Sequence, residues 1–139
     1  MHTPLLGSWS AEVLYGFGPM SDYILTFLPD HTGYFEEINV ELYAYETLSW
    51  ATSEDGTLSI TAISRCFKGN GEEGTDPGTI SVHEAPYSIT HEPAPTGETM
   101  DILSISLAPG SPWSGFPDRF GRMCSLEDLI KYPRTPTFP

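Results

Sequence analysis

Four groupings in this chain have residue types that could do chemistry: His83-Glu84, His91-Glu92, the paired acids Glu36-Glu37, and Arg65 next to Cys66. Metal binding by the histidines is the sharpest of these ideas. Neither pair belongs to a His-Glu-x-x-His helix, because the continuations are Ala85-Pro86-Tyr87 and Pro93-Ala94-Pro95. Neighbouring residues on an extended strand point to opposite faces, so neither pair is expected to chelate. A fully extended segment would also hold His83 and His91 ~26 Å apart. The sequence therefore predicts no metal site, and no motif in it asks for a cofactor.

Glu36 and Glu37 also alternate, so at most one of them faces an interior. If Phe35 and Glu37 form the inner set, Glu37 is a buried acid that needs a partner. Tyr34, Glu36 and Ile38 are the other choice, and the pattern does not separate the two. Arg65 is the first cation in the chain and shares a face with Ile63 and Phe67. Pointing inward, it would offer a flat, two-pronged donor to a ligand carboxylate, enolate or carbonyl. Pairing with a surface acid at a strand end is the plainer use. His83, Glu37 and Arg65 are thus the candidate catalytic residues, with Tyr15 and Tyr45 as further hydroxyl donors.

Nucleophilic chemistry has less behind it. Cys66 and Cys124 lack a neighbouring base, and Ser114-Gly115 is not a nucleophile elbow. A Cys66–Cys124 bridge would add ~4 kcal/mol by chain entropy, but a reducing compartment predicts two separate thiols. Residues 68–79 are rich in glycine, yet no Gly-Lys-Ser/Thr follows, and Glu72-Glu73 would repel phosphate. That segment reads as a surface loop.

The elements that must position these side chains are short strands. Ser8 to Tyr15 alternates, with Trp9, Ala11, Val13 and Tyr15 on one face. Further strand-like runs cover 23–28, 34–40, 43–51 and 57–67, then follow from Ile80, from Asp101 to Leu107, and from Arg119 to Met123. Pro29-Asp30-His31-Thr32-Gly33 reads as a turn in which Gly33 takes positive φ, and Asp55-Gly56 reads as a hairpin turn. After Ala62 the apolar phase slips by one residue, which predicts a bulge. Pro86 allows its strand to continue only at an edge or a bulge. Ser125 and Asp128 frame a short capped helix, ended by Pro133.

At 139 residues, with 39% hydrophobic and 12% aromatic residues, the chain predicts one domain with one core. There is no internal repeat. Thirteen prolines and thirteen glycines suit many turns rather than long helices. The net charge is −13, and residues 1–64 hold nine acids and no lysine or arginine. Nucleic acid and anionic membrane surfaces both need clustered cations, so both are excluded as primary partners. No apolar run approaches the ~20 residues that span a bilayer. The start of the chain lacks a cationic segment followed by an apolar stretch, which predicts no signal peptide and a cytoplasmic location.

Eight short antiparallel strands pack as a sandwich or close into a barrel, and closure removes both edges. The order of signals resembles the lipocalin and lipocalin-like (calycin) superfamily. Gly7-x-Trp9 at the first strand, Pro29-Asp30-x-x-Gly33 after the second, and Asp55-Gly56-x-Leu58 after the fourth carry that resemblance. It implies an all-β, eight-stranded up-and-down barrel over about residues 5–124, with a short helix and tail over 125–139. It also implies an arginine of the last strand, Arg119 or Arg122, packed over Trp9.

The interior of such a barrel would admit one largely apolar small molecule, lipid-like or natural-product-like. Tyr15, Phe35, Tyr45, Trp50, Phe67, Trp113 and Phe120 are the expected ligand-binding residues. The runner-up is a cofactor-free cyclase or isomerase of secondary metabolism, folding a flexible substrate into a reactive shape and hydrogen-bonding developing charge. A third option is a protein-interaction module with a filled interior. Tyr43 and Tyr45 on an outer face could equally mark a homodimer contact.

Overall fold

The computed structural model describes residues 5–12, 22–38, 42–69, 72–78, 80–107 and 117–131. Nine strands follow one another: β1 (Gly7–Ser10), β2 (Asp22–Phe27), β3 (Thr32–Ile38), β4 (Leu42–Thr52), β5 (Thr57–Gly69), β6 (Glu72–Pro77), β7 (Ser81–Pro93), β8 (Thr99–Ile105) and β9 (Arg119–Ser125). Every pairing is antiparallel. The order β4-β3-β2-β1-β9-β8-β7-β5 returns to β4 through a β4–β5 ladder, so the sheet closes into a ring. A short helix, α1 (Leu126–Lys131), follows β9. The Ser125 hydroxyl accepts the Asp128 N–H at 3.2 Å, an N-cap for that helix. Among the described residues no helix is long and apolar enough to cross a membrane.

The ninth strand lies where the sequence predicted a loop. β5 is longer than its apolar pattern, and its far half, Ser64–Gly69, pairs with β6. β7 takes over the same edge of β5 one step lower, with Thr61 opposite Ser81. β6 and β7 thus share one edge of β5, and between them Gly78 and Ile80 each keep one backbone bond to it, with Ile63 and Ala62. The reason is backbone chemistry: the extended half of β5 carries N–H and C=O groups that need partners, whatever the side chains. Glycine is required at 78, because a Cβ there would lie 2.5 Å from the Ala62 Cβ.

Bulges bend the ring, as the phase slip after Ala62 predicted for one of them. Thr47 faces Ser64 while Leu48 faces Ala62, which leaves Ile63 extra and exposed. On β7, His83 and Glu84 together oppose the single residue Ser59 between the Leu58–Ala85 and Ile60–Val82 pairs, with Glu84 at φ 44°. Pro86 sits just beyond, where β7 exchanges β5 for β8 as its partner, so its missing N–H costs no ladder bond. β1 is shorter than its alternating pattern. It ends at Ser10, and Ala11–Glu12 are helical, because the Asp22 carboxylate accepts both the Ser10 hydroxyl and the Glu12 N–H.

Three hairpins turn at the same end of the ring: Leu28–Thr32, Ser53–Thr57 and Ala94–Glu98. Each has the same pair of backbone bonds, fourth residue to first and first to fifth. The fourth residue must take positive φ. It is Gly56 (84°) and Gly97 (97°) in two of them, but His31 (65°) in the first. A residue with a Cβ costs about 1–2 kcal/mol in that conformation. Gly33 therefore has a different role from the one its sequence suggested. It stands in β3, where a Cβ would come within 2.0 Å of the Thr26 carbonyl oxygen.

The core fills the ring from this turn end upward. Trp9, Leu25, Phe27, Phe35, Leu48, Leu58, Ile60, Leu103 and Phe120 are all buried in one cluster. The last strand closes on the first: Arg122 opposes Trp9, and its guanidinium lies 4.1 Å above the indole. Its Nε donates to Asp101 at 3.1 Å and its Nη1 to the Leu6 carbonyl at 3.0 Å. The Trp9 Nε1 donates to the Leu5 carbonyl at 2.9 Å, so the indole is buried with its polar atom satisfied.

Two predictions follow from this packing. Gly33→Ala should lower stability by about 3 kcal/mol, because a backbone oxygen cannot move aside for the new methyl. Gly56→Ala, with open space around it, should cost about 1–2 kcal/mol; urea midpoints compare the two. The Asp101 carboxyl is held below its ordinary range, chiefly by the His91 hydrogen bond and then by Arg122. Its stabilisation is present above the unfolded-state value and is lost as pH falls through the folded one. Wild type should therefore weaken more steeply than Asp101→Asn between pH 5 and 3; a constant gap in urea midpoints would count against it.

Candidate functional site

Cross-strand partners project to the same face of a sheet, so the register assigns inner positions directly. One row runs Trp9, Leu25, Phe35, Glu46, Arg65 across β1 to β5. Trp9 is buried inside the ring, so Phe35, Glu46 and Arg65 face inward as well. The next row, toward the end away from the hairpin turns, is Tyr23, Glu37, Ala44, Phe67, Gly74. The choice that the sequence left open thus falls to Phe35 and Glu37. Glu36 lies on the other face, where its carboxylate accepts the Tyr43 hydroxyl at 2.9 Å.

These two rows bring together a compact polar group among aromatic rings. The Arg65 guanidinium stands 3.9 Å from Glu37, with side chains 22% and 25% exposed, so water still reaches both. It also lies 5.5 Å from the centre of the Phe67 ring. Phe67 in turn lies across Gly74, where a Cβ would come 2.7 Å from its ring. Tyr23 stacks on Phe35 with centroids 6.2 Å apart. Its phenol is pushed above its ordinary pKa, first by burial and then by the Glu37 carboxylate. Glu46 is buried opposite Arg65 and accepts the Ile80 N–H at 3.2 Å.

Chemically, the group presents a guanidinium and a carboxylate beside a protonated phenol. It can hydrogen-bond a carbonyl or hydroxyl and stack a planar apolar body. No protein-family model, curated protein or solved structure matches the chain. The reading of the site therefore stands on its own residues.

The other expected site residues lie elsewhere. Tyr45 opposes Cys66 on the outer face, and its phenol is raised by the hydrogen bond to that free thiol. Trp50 sits at the turn end, edge-on to Phe27 at 5.4 Å. Phe120 is fully buried in the core. Tyr15 and Trp113 lie outside the described residues. His83 is 87% exposed on its bulge and belongs to neither inner row.

The bulge also corrects one expectation about that histidine. It breaks strand alternation, so His83 and Glu84 do come together, at 3.4 Å. Among the described residues, however, no three His, Cys, Asp or Glu side chains converge to hold a metal. His91 is taken by Asp101 at 2.9 Å.

Tyr23 and Glu46 were missed at the sequence level. Tyr23 opens an evenly apolar run that hides its faces, and Glu46 alternates correctly with Ala44 and Leu48 but is an acid. Removing the Glu37 charge should lower the Tyr23 pKa. Difference titration at 295 nm, each protein against its Tyr23→Phe counterpart, should show the tyrosinate forming at lower pH in Glu37→Gln. An unmoved midpoint would mean that Glu37 does not reach the phenol.

Proposed function

We propose that this protein binds one largely apolar small molecule within a lipocalin-like eight-stranded barrel. The ligand would enter at the end away from the hairpin turns. The observation that carries this reading is the half-buried Arg65–Glu37 pair on the inner face, set among Tyr23, Phe35 and Phe67. Charges at that depth are costly unless they are paired and partly solvated, and the pair contributes little to stability. Its better use is to orient one polar group of a guest whose body packs on the rings. The Arg122–Trp9 stack supports the lipocalin-like comparison, since that contact is what the resemblance implies. The packed rows below Phe35 confine the guest to the upper part of the ring.

One observation favours the cofactor-free cyclase or isomerase as a second reading. A phenol kept protonated near the carboxylate that pairs with Arg65 is suited to hydrogen-bond an oxyanion as it forms. In that case Tyr23 would be the donor, with Arg65 sharing the developing charge.

Native mass spectrometry of freshly purified protein, followed by denaturing extraction, tests binding. A small-molecule adduct is expected on wild type, together with affinity for a neutral apolar probe such as Nile red. Arg65→Ala, with its circular dichroism unchanged, should weaken the adduct about tenfold, or ~1.4 kcal/mol. No adduct, no probe binding and no effect of Arg65→Ala would leave the filled-interior, protein-interaction alternative standing instead.

A further inference from the structure

At the opposite end of the ring, a cleft of about 350 Å³ opens between the first and second hairpin turns. Leu6, Pro29, His31, Trp50, Thr52 and Glu54 form most of its wall. The three hairpins at this end share one backbone design, and two of them place glycine at the positive-φ position. The exception is His31, and its ring is the one that walls the cleft. Its imidazole stacks on Trp50, centroids 4.9 Å apart and planes at 29°. Two more bonds clamp it there: Nδ1 to the Trp50 carbonyl at 3.1 Å, and the Trp50 N–H to the His31 carbonyl at 2.9 Å. The turn alone would be better served by glycine, so the histidine is kept for its ring.

The chemistry of the wall specifies the guest. A carbonyl oxygen can only accept, so His31 Nδ1 carries the proton in that bond. In the neutral ring Nε2 is then an acceptor. Trp50 Nε1 is already spent on the Leu28 and Thr32 carbonyls, at 3.2 and 2.9 Å. The lining includes a carboxylate, Glu54, and no lysine or arginine. Asp30 and Asp55 stand in the same two turns, both exposed and both held below the ordinary carboxylate range by hydrogen bonds within their own turns. The rim is therefore negative and rich in acceptors, above a floor of indole and aliphatic carbon. It repels an anion and favours a cation over an aromatic surface.

We propose that this cleft is a second binding site, for a small planar aromatic molecule bearing cationic N–H donors, of the aryl amidine class. The exposed His31 ring, backed by the buried Trp50 indole, supplies the stacking wall, and Glu54 supplies the counter-charge. The site lies at the other end of the ring from the Arg65 group, and its occupancy does not depend on the function proposed there.

Benzamidine, toluene and benzoate, titrated into the full chain by ¹H–¹⁵N correlation NMR, test the assignment. Benzamidine should shift the Trp50 indole and His31 signals saturably, toluene more weakly, and benzoate not at all. His31→Gly restores the residue that the sister turns use, so it should keep its thermal midpoint while benzamidine affinity falls at least tenfold. Glu54→Gln, an exposed change, should weaken benzamidine but not toluene. Equal binding of benzoate, undiminished affinity in His31→Gly, or no saturable shift with benzamidine would each overturn the proposal.

Discussion

The contact on which the rest of this structure depends is the Arg122 guanidinium lying on the Trp9 indole. It joins the last strand to the first, and through Asp101 and the Leu6 carbonyl it also ties in β8 and the segment before β1. A cation on a buried indole contributes about 2 kcal/mol when both are shielded from water, but its geometric role is larger. Arg122 can reach Trp9 only because β9 carries an extra residue: Ser8 faces Cys124, Trp9 faces Arg122, and Met123 is pushed out to solvent. With Trp9 fixed inside, the register carries inwardness across β2, β3 and β4 to Arg65. A one-residue slip at the seam would turn Arg65 and Glu37 outward together.

Much of this was legible because the sequence carries phase as well as hydrophobicity. The slip from Ala62 to Ile63 marks the bulge directly, and the clean alternation of Leu103 and Ile105 marks β8. Where a run is balanced, the pattern is silent. Tyr34-Phe35-Glu36-Glu37-Ile38 offers one aromatic and one acid to each face, so only its neighbours decide, and the decision came from Trp9 two strands away. β6 was hidden for the opposite reason. Its sequence, Glu72 to Pro77, contains no apolar side chain but that of the proline, and such a strand leaves no hydrophobic signature.

Glycine and histidine illustrate how local chemistry misleads when distant atoms intervene. Gly33 has the right place and composition for a positive-φ turn residue, yet it is fixed by the Thr26 carbonyl on the next strand. The turn was already made one residue pair earlier, with His31 in the strained position because Trp50 holds its ring. Similarly, the alternation of Ala11, Val13 and Tyr15 reads as strand, but the Asp22 carboxylate accepts the Glu12 N–H and stops β1 at Ser10. In each case the deciding partner is a backbone or carboxylate oxygen more than five residues away.

The inner face changes from apolar to polar at one identifiable place, and the change has a structural cause. Between β6 and β7, Gly78 and Ile80 each keep one bond to β5 beside the Ile63 bulge, and the Ile80 N–H turns instead to a side chain. A buried N–H without a partner costs about 1–3 kcal/mol, and Glu46 supplies the acceptor from the facing strand. Placing an acid there puts a carboxyl directly opposite Arg65, and the arginine in turn reaches Glu37 in the next row. The polar residues on the inner face thus form a chain of neighbours, from the Ile80 N–H through Glu46 and Arg65 to Glu37. The Ile63 bulge and the polar group at the upper end thus lie side by side, joined through Gly78, Ile80 and Glu46. A packed apolar replacement for Glu46 would leave the Ile80 N–H without this acceptor, which is why an acid stands between the core residues Ala44 and Leu48.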